Sequence, residues 1–350
     1  KAFSGVLYEE DETFINNMKD HNLAGDDISK YRFWEWTQGV GLFGFWKLYA
    51  GSGKKEYLDI IKEYYDRQIG LGFPSLNVNT VTPYLAMSFL AEYTGEDRYM
   101  RPCVDAAEEI MSSFPRTKEG GFQHITSDSV NEQELWDDTL FMTVLFLAKI
   151  GKIIGKKEYV QEAIYQFLLH AKYLADRKTG LWYHGWTFLQ NNNFAGAFWG
   201  RGNCWITAAI PEFLSIAGDE CSSAEMRYLI EVLNKQIESL AKFQDSDGMW
   251  HTLVDDATSY KETSATCGFA YGILRSIHMN LVDKKYKVCA EKALSAVLEN
   301  IGADGVVNNV SYGTPMGRES KDFYKQIPIK AMPYGQALAM LYLIEVMKEQ

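Results

Sequence analysis

The pentapeptide "GKKEY" stands at residues 53–57 and again at 155–159, and "GEDRY" fills the same pattern at 95–99. Each glycine can end a helix in the left-handed conformation, and the tyrosine four residues on anchors the next helix. Around these punctuation marks the apolar residues recur with helical rather than alternating period. Working outward, we expect helices at 8–20, 34–51, 54–70, 77–95, 97–112, 133–152, 157–176, 201–217, 222–244, 262–279, 283–300 and 332–349. A second kind of connection is longer and aromatic: "EGGFQH" (119–124), "TGLWYH" (179–184), "DGMWHT" (247–252) and "DGVVNN" (304–309). Counted between Gly121, Gly180, Gly248 and Gly305, these recur at 59, 68 and 57 residues. Short loops alternating with long ones mark stacked helical hairpins. Six hairpins close into a ring, so the expected fold is all-α, an (α/α)6 toroid forming a single domain over 1–350. The long loops would then gather as a cup at one end. An open solenoid is the competing arrangement. No linker rich in Pro, Gly or Ser divides the chain.

Bulk composition narrows the function classes. Hydrophobic residues make up 47% and aromatic residues 14%, enough for a large packed core. The formal charge is −11 with no basic stripe, which argues against a nucleic-acid partner. No apolar run approaches the ~18 residues of a membrane span, so no membrane partner is expected. The cysteines (Cys103, Cys204, Cys221, Cys267, Cys289) are odd in number and scattered without a CxxC pair. That pattern favours reduced thiols in a cytoplasmic protein over disulfides or zinc. "KAFSGVLYEED" lacks a signal-peptide core, although the missing initiator Met leaves a trimmed leader open. There is no HExxH, GxSxG, P-loop or dinucleotide fingerprint, so neither metal nor cofactor is expected. The oligomeric state is not legible.

One stretch is chemically odd. "NEQELWDDTLFMTVLFLAKIG" (131–151) sets Asp137 and Asp138 at the head of an apolar run of helical length. Acids are seldom buried, and an unpartnered charge in a core is costly. Consecutive helical residues point ~100° apart, so the two aspartates cannot share one role. Periodicity leaves open which of them faces the cup. Both also suit a helix start, where acids interact well with the macrodipole. The long loops weigh toward a site. "GLWYHGW" brings His184 with Trp182 and Trp186, "AFWGRGNCW" brings Arg201 between Trp199 and Trp205, and "RFWEWTQG" adds Trp34, Glu35 and Trp36. Aromatic platforms mixed with a few polar groups suit sugar rings. His124, His184 and His251 fall in rim loops, whereas His170 falls inside a helix and reads as structural. The asparagines at 191–193 read as a polar loop.

At "ELWDDTLFM", "GLWYHGW", "FWGRGN-CW" and "MPYGQALAM" the chain resembles the unsaturated rhamnogalacturonyl hydrolases of glycoside hydrolase family 105, and more distantly the unsaturated glucuronyl hydrolases of family 88. The resemblance spans nearly the whole chain. It implies an (α/α)6 barrel and a small unsaturated oligosaccharide as substrate. It also implies hydration of the C4–C5 double bond that a polysaccharide lyase leaves in a uronyl sugar, followed by release of the neighbouring sugar, with rhamnose the expected one. The glycosidic bond is not attacked directly, so the carboxylate-separation rule for glycosidases does not apply. By this resemblance Asp138 is catalytic and Glu35, Trp36, His124, His184, Arg201 and Trp205 bind substrate. Trp199 joins them as Arg201's aromatic neighbour, with Arg201 expected to hold the substrate carboxylate bidentately. The chain departs from the family at Asn79, in "LNVNTVTPYL", where members carry a second aspartate. A helix N-terminus would lower the pKa of Asp138. Burial among Trp136 and Phe141, and an ionised Asp137, would raise it. Two other readings compete: another sugar enzyme on the same toroid, such as a saturated-glycoside hydrolase or a 2-epimerase, the latter needing paired axial histidines, and a non-catalytic oligosaccharide-binding protein.

Overall fold

The computed structural model describes residues 34–349. In chain order the helices are α1 (Trp36–Ser52), α2 (Lys55–Leu71), α3 (Val78–Thr94), α4 (Asp97–Ser113), α5 (Leu145–Ile154) and α6 (Lys157–Leu174). There follow α7 (Gly200–Ala217), α8 (Ser223–Phe243), α9 (Thr263–His278), α10 (Lys287–Glu299), the short α11 (Asp322–Lys325) and α12 (Pro333–Met347). The connections carry short strands β1 (Glu134–Trp136), β2 (Gly185–Thr187), β3 (Val310–Ser311) and β4 (Ile329–Lys330). The helix expected at 8–20 lies outside the described residues.

Six helices form an inner ring. Helix α1 packs on α3, α3 on α5, α5 on α7, α7 on α9 and α9 on α12, and α12 returns to α1. That last contact closes the toroid and excludes the open solenoid. Helices α2, α4, α6, α8 and α10 each pack outside the inner helix they follow. Side-chain patterns sort the two layers. Helix α9 buries an unbroken run from Thr263 to Leu274, being small or apolar on every face. Outer helix α4 buries only Tyr99, Cys103, Ala106, Ala107 and Ile110, one stripe at helical spacing. Inner neighbours approach closely: a Cβ at Gly272 of α9 would come within 2.3 Å of the Thr207 carbonyl oxygen on α7.

The short connections form as expected. Gly53, Gly95 and Gly155 adopt φ of 66°, 67° and 70°, and each donates its N–H to the carbonyl four residues back. A Cβ at any of the three would meet nothing within 4 Å, so the backbone conformation, not space, calls for glycine. The long connections run from each outer helix to the next inner one. Antiparallel pairs stitch them into a collar: β1 with β2, β3 with β4, and bridges Trp199–Leu253 and His251–Lys261.

The stretch 131–151 departs from expectation. The helix expected from 133 begins only after β1 and a turn at Asp137–Asp138. It opens with a π-helical turn, Leu140–Val144, where the Leu145 N–H reaches back to the Leu140 carbonyl, and continues as α5. Residues 134–136 stay extended because β2 takes their backbone hydrogen bonds. No helix among the described residues is long and apolar enough to cross a membrane, and all five cysteines are free thiols.

Candidate active site

The first turns of the inner helices meet at the cup. Trp36 of α1 stacks on Tyr334 of α12 (centroids 4.6 Å apart) and meets Trp205 of α7 edge-on (6.0 Å). Arg201 of α7 lies over the rings of Trp199 and Tyr334 at 4.7 and 4.6 Å. Asn77, which caps α3, reaches Ser127, and Ser127 in turn donates to Glu35, which caps α1. Glu262 caps α9 and also accepts from the Ser311 N–H at 2.8 Å.

The β1–β2 register places Trp136 opposite Gly185, and the Asp137 N–H donates to the His184 carbonyl at 3.0 Å. The motifs holding the two aspartates and His184 are thereby locked together. Asp137 is fully buried, and a Cβ at Gly202 would fall 2.4 Å from its Oδ2, so α7 covers it completely. The Asp138 side chain keeps 15% exposure, and its Oδ2 lies 3.5 Å from His184 Nε2. Asp138 is the member of the pair that reaches the cup. The Trp136 ring separates two histidines: His124 stacks on it at 4.3 Å and His184 meets it edge-on at 5.0 Å. The His124 Nδ1 is held by the Thr139 hydroxyl at 2.8 Å.

Protonation follows from these contacts. Burial, together with the neighbouring charge of Asp138, pushes the Asp137 carboxyl well above the carboxylate range, so it is neutral. Burial also works to raise Asp138, but His184, His124 and Asp137 outweigh it and hold it at about 2. Burial lowers His124 to about 3 and lowers His184 as well. Both imidazoles are therefore uncharged at neutral pH, and Asp138 is held ionised by its close polar neighbours, His184 at 3.5 Å foremost. The expectation of an ionised Asp137 raising Asp138 is reversed. The donor atoms of Asp137, Asp138 and His184 lie within 4.8 Å of one another, close enough to hold a cation.

Arg201 differs most from expectation. Its side chain is 1% exposed. Nη1 donates to the Ser311 carbonyl (2.9 Å) and hydroxyl, and Nη2 donates to the Tyr312 carbonyl and Thr314 hydroxyl, both at 3.1 Å. All four terminal N–H bonds are spent on residues 311–314, leaving only Nε without a partner. The guanidinium has no free fork for a bidentate carboxylate. Glu35 is buried, and burial raises its carboxyl to about 8 despite the Ser127 hydrogen bond. Asn79 is half-buried in the first turn of α3, its N–H donating to the Asn77 side chain.

Several aromatic candidates belong elsewhere. Trp34 is core, with Nε1 on the Thr80 carbonyl and its ring among Tyr65, Phe73 and Tyr84. Trp182 is buried, and Trp186 packs on Tyr173 and Phe188. His251 is tied to the Ser259 carbonyl and Asp245, and His170 bonds the Gln166 carbonyl inside α6. Two groups escaped the sequence reading. Tyr334 lies in the quoted "MPYGQALAM", so a signal existed. Tyr324, whose hydroxyl is 2.6 Å from His184 Nδ1, lies in a segment without motif or period.

Comparison with known proteins agrees with this geometry. The sequence model described as Glycosyl Hydrolase Family 88 matches residues 7–350. The chain is 33% identical over 318 residues to the unsaturated rhamnogalacturonyl hydrolase YesR of Bacillus subtilis (strain 168), covering 90% of each. A crystal structure of a possible GH105 member from Klebsiella pneumoniae subsp. pneumoniae MGH 78578 shares 44% identity and superposes with a TM-score of 0.89, over 97% of this chain and 93% of that one. An unsaturated glucuronyl hydrolase from Bacillus sp. GL1 is 17% identical with a TM-score of 0.71, over 90% of this chain and 87% of that one, which shows a shared fold.

Proposed function

The chain belongs to Glycosyl Hydrolase Family 88, and on that premise we propose that it removes the unsaturated uronyl sugar from small lyase-generated oligosaccharides such as those of rhamnogalacturonan. The observation that carries this reading is Asp138: a carboxyl at the floor of an aromatic-walled cup, one oxygen buried beside His184 and the side chain partly open to the cup. In the reaction Asp138 gives a proton to C4, and water adds its oxygen to C5 while returning a proton to Asp138. The C5 hemiketal then opens, and collapse of the remaining C1 hemiacetal releases the neighbouring sugar, with rhamnose the expected one.

Recognition of the uronate does not need a free guanidinium fork. The inner-helix N-termini converge on the cup, and their partial positive charges favour an anion. Arg201 adds a buried cation behind the aromatic wall; Trp36 and the half-buried Asn79 keep surface that can border the sugar, and Trp199, Trp205, Glu35 and His124 are buried behind them as its support. The closed ring and the family match over 7–350 support a single domain. The five free thiols support a reducing, cytoplasmic compartment.

Asp138→Asn tests the reading. The amide matches the carboxyl in shape but carries no catalytic proton, so bleaching of the double bond's ultraviolet absorbance should slow by at least ~10²–10⁴-fold. The circular-dichroism spectrum should stay unchanged. A folded Asp138→Asn protein that bleaches an unsaturated disaccharide near the wild-type rate would remove the proposal.

A further inference from the structure

Tyr324 reaches the site from α11, inside the long segment between β3 and β4, and contacts a residue 140 positions earlier in the chain. Its ring is fully buried, 6.2 Å from Trp199 and edge-on to His184 at 5.7 Å. The phenol oxygen lies 2.6 Å from His184 Nδ1 and accepts the Gly317 N–H at 3.0 Å. Gly317 is shaped for this contact, since a Cβ there would fall 2.4 Å from the Tyr324 ring.

We propose that Tyr324 is a positioning residue for the hydration: by donating its O–H to His184 Nδ1 it fixes the imidazole so that Nε2 carries the hydrogen and faces Asp138. Donor counting supports one direction. With Gly317 N–H already occupying the phenol oxygen as an acceptor, the hydroxyl hydrogen is free to point at Nδ1. The imidazole hydrogen then sits on Nε2, 3.5 Å from the Asp138 carboxylate. In the opposite tautomer the Nε2 lone pair would face a carboxylate oxygen, with both atoms buried and no other partner. The phenol hydrogen would then be left with Met316 Sδ at 3.8 Å, a weak acceptor. The buried Oδ2 of Asp138 is thereby held toward His184, and Oδ1 remains for substrate. Arg201 supports the same arrangement indirectly, since it pins residues 311–314 at the root of the segment that carries Tyr324.

This inference rests on the proposed role of Asp138, and its test separates the two. Two-bond nitrogen–proton NMR spectra report which imidazole nitrogen is protonated, with His184 assigned by its loss in His184→Gln. Wild-type protein should show His184 protonated on Nε2. Tyr324→Phe keeps the packed ring and removes only the hydroxyl. It should mix the tautomers and lower kcat roughly 10–100-fold, as loss of an outer partner of a working histidine does, with KM within about twofold. A wild-type His184 protonated on Nδ1 would overturn the inference, and that measurement needs no variant to fold. An unchanged kcat in folded Tyr324→Phe would overturn it too. Wild-type protein inert toward unsaturated disaccharides would overturn the proposed function, while the tautomer in the same sample still decides the hydrogen-bond assignment.

Discussion

The carbon protonation proposed for Asp138 needs a proton, and Asp138 does not hold one in the free protein, where its pKa is about 2. Asp137 does hold one, because burial and the charge of Asp138 push its carboxyl far above the usual range. When a uronate enters the cup, its negative charge raises the proton affinity of Asp138, and the neighbouring neutral Asp137 is a carboxyl that can supply the proton. Asp137→Asn should therefore be informative. The amide keeps the shape of the neutral carboxyl but has no proton to yield. We expect kcat to fall about tenfold, less than for loss of the direct proton donor. The pH profile should change in one direction. A group that must be protonated sustains activity up to its own pKa, so replacing a high-pKa partner moves the alkaline limb of kcat/KM to lower pH. Ultraviolet bleaching of an unsaturated disaccharide across pH measures both effects. An alkaline limb that stays in place would make Asp137 a spectator beneath Gly202.

Helix α1 begins with a capping box in which Glu35 and Gln38 satisfy each other's backbone donors. The cap comes with strain of a chemical kind, since burial raises Glu35 to about 8 from an ordinary 4.5, with the Ser127 hydrogen bond opposing. Below pH 4.5 the carboxyl is protonated in folded and unfolded chains alike, and it costs nothing. Between 4.5 and 8 only the unfolded chain releases the proton, so folding stability falls as pH rises, by at most about 5 kcal/mol, and levels off above 8. Glu35→Gln keeps a capping oxygen and removes the titration. Its thermal midpoint should match wild type near pH 4 and exceed it increasingly toward pH 8; a difference independent of pH would refute this account. What could be read from sequence at this scale divides by range. Gly53, Gly95 and Gly155 were legible because a left-handed turn is a local demand. The start of α5 was not, because β1 is extended by a partner fifty residues away. The facing of Asp137 and Asp138 was hidden as well, since both lie in a turn ahead of a π-helical one rather than on a regular helix. Arg201 was legible as a candidate but not its four hydrogen bonds, whose partners lie 110 and more positions downstream. Trp34 and Trp182 share their motifs with cup residues, and only tertiary packing sends them to the core.

At the scale of the whole ring, the geometry that gathers helix N-termini at the cup gathers their C-terminal halves at the opposite mouth. Glu212 of α7 is buried there with 1% exposure. It accepts Lys47 Nζ of α1 at 2.6 Å, Arg275 Nε of α9 at 2.8 Å and the Tyr271 hydroxyl at 2.6 Å. In ring order α1 and α7 stand opposite each other, so the Lys47–Glu212 bridge crosses the bore and stops it at the end away from the cup. Burial works to raise the Glu212 carboxyl, but the charges of Lys47 and Arg275 prevail and hold it at about 2. Its contribution is therefore complete above pH 4.5, the unfolded value, and is lost as pH falls through 2. Glu212→Gln leaves two half-buried cations without their buried counter-charge, which should cost up to about 3–5 kcal/mol at pH 7. Calorimetry should show the gap from wild type narrowing below pH 4.5 and closing near 2. Because the cup is built from the other ends of these helices, kcat/KM per folded molecule should stay within about twofold. A variant that melts like wild type at pH 7 would show the bridge to be dispensable. One that keeps its stability but loses turnover would show that the two ends of the bore are coupled.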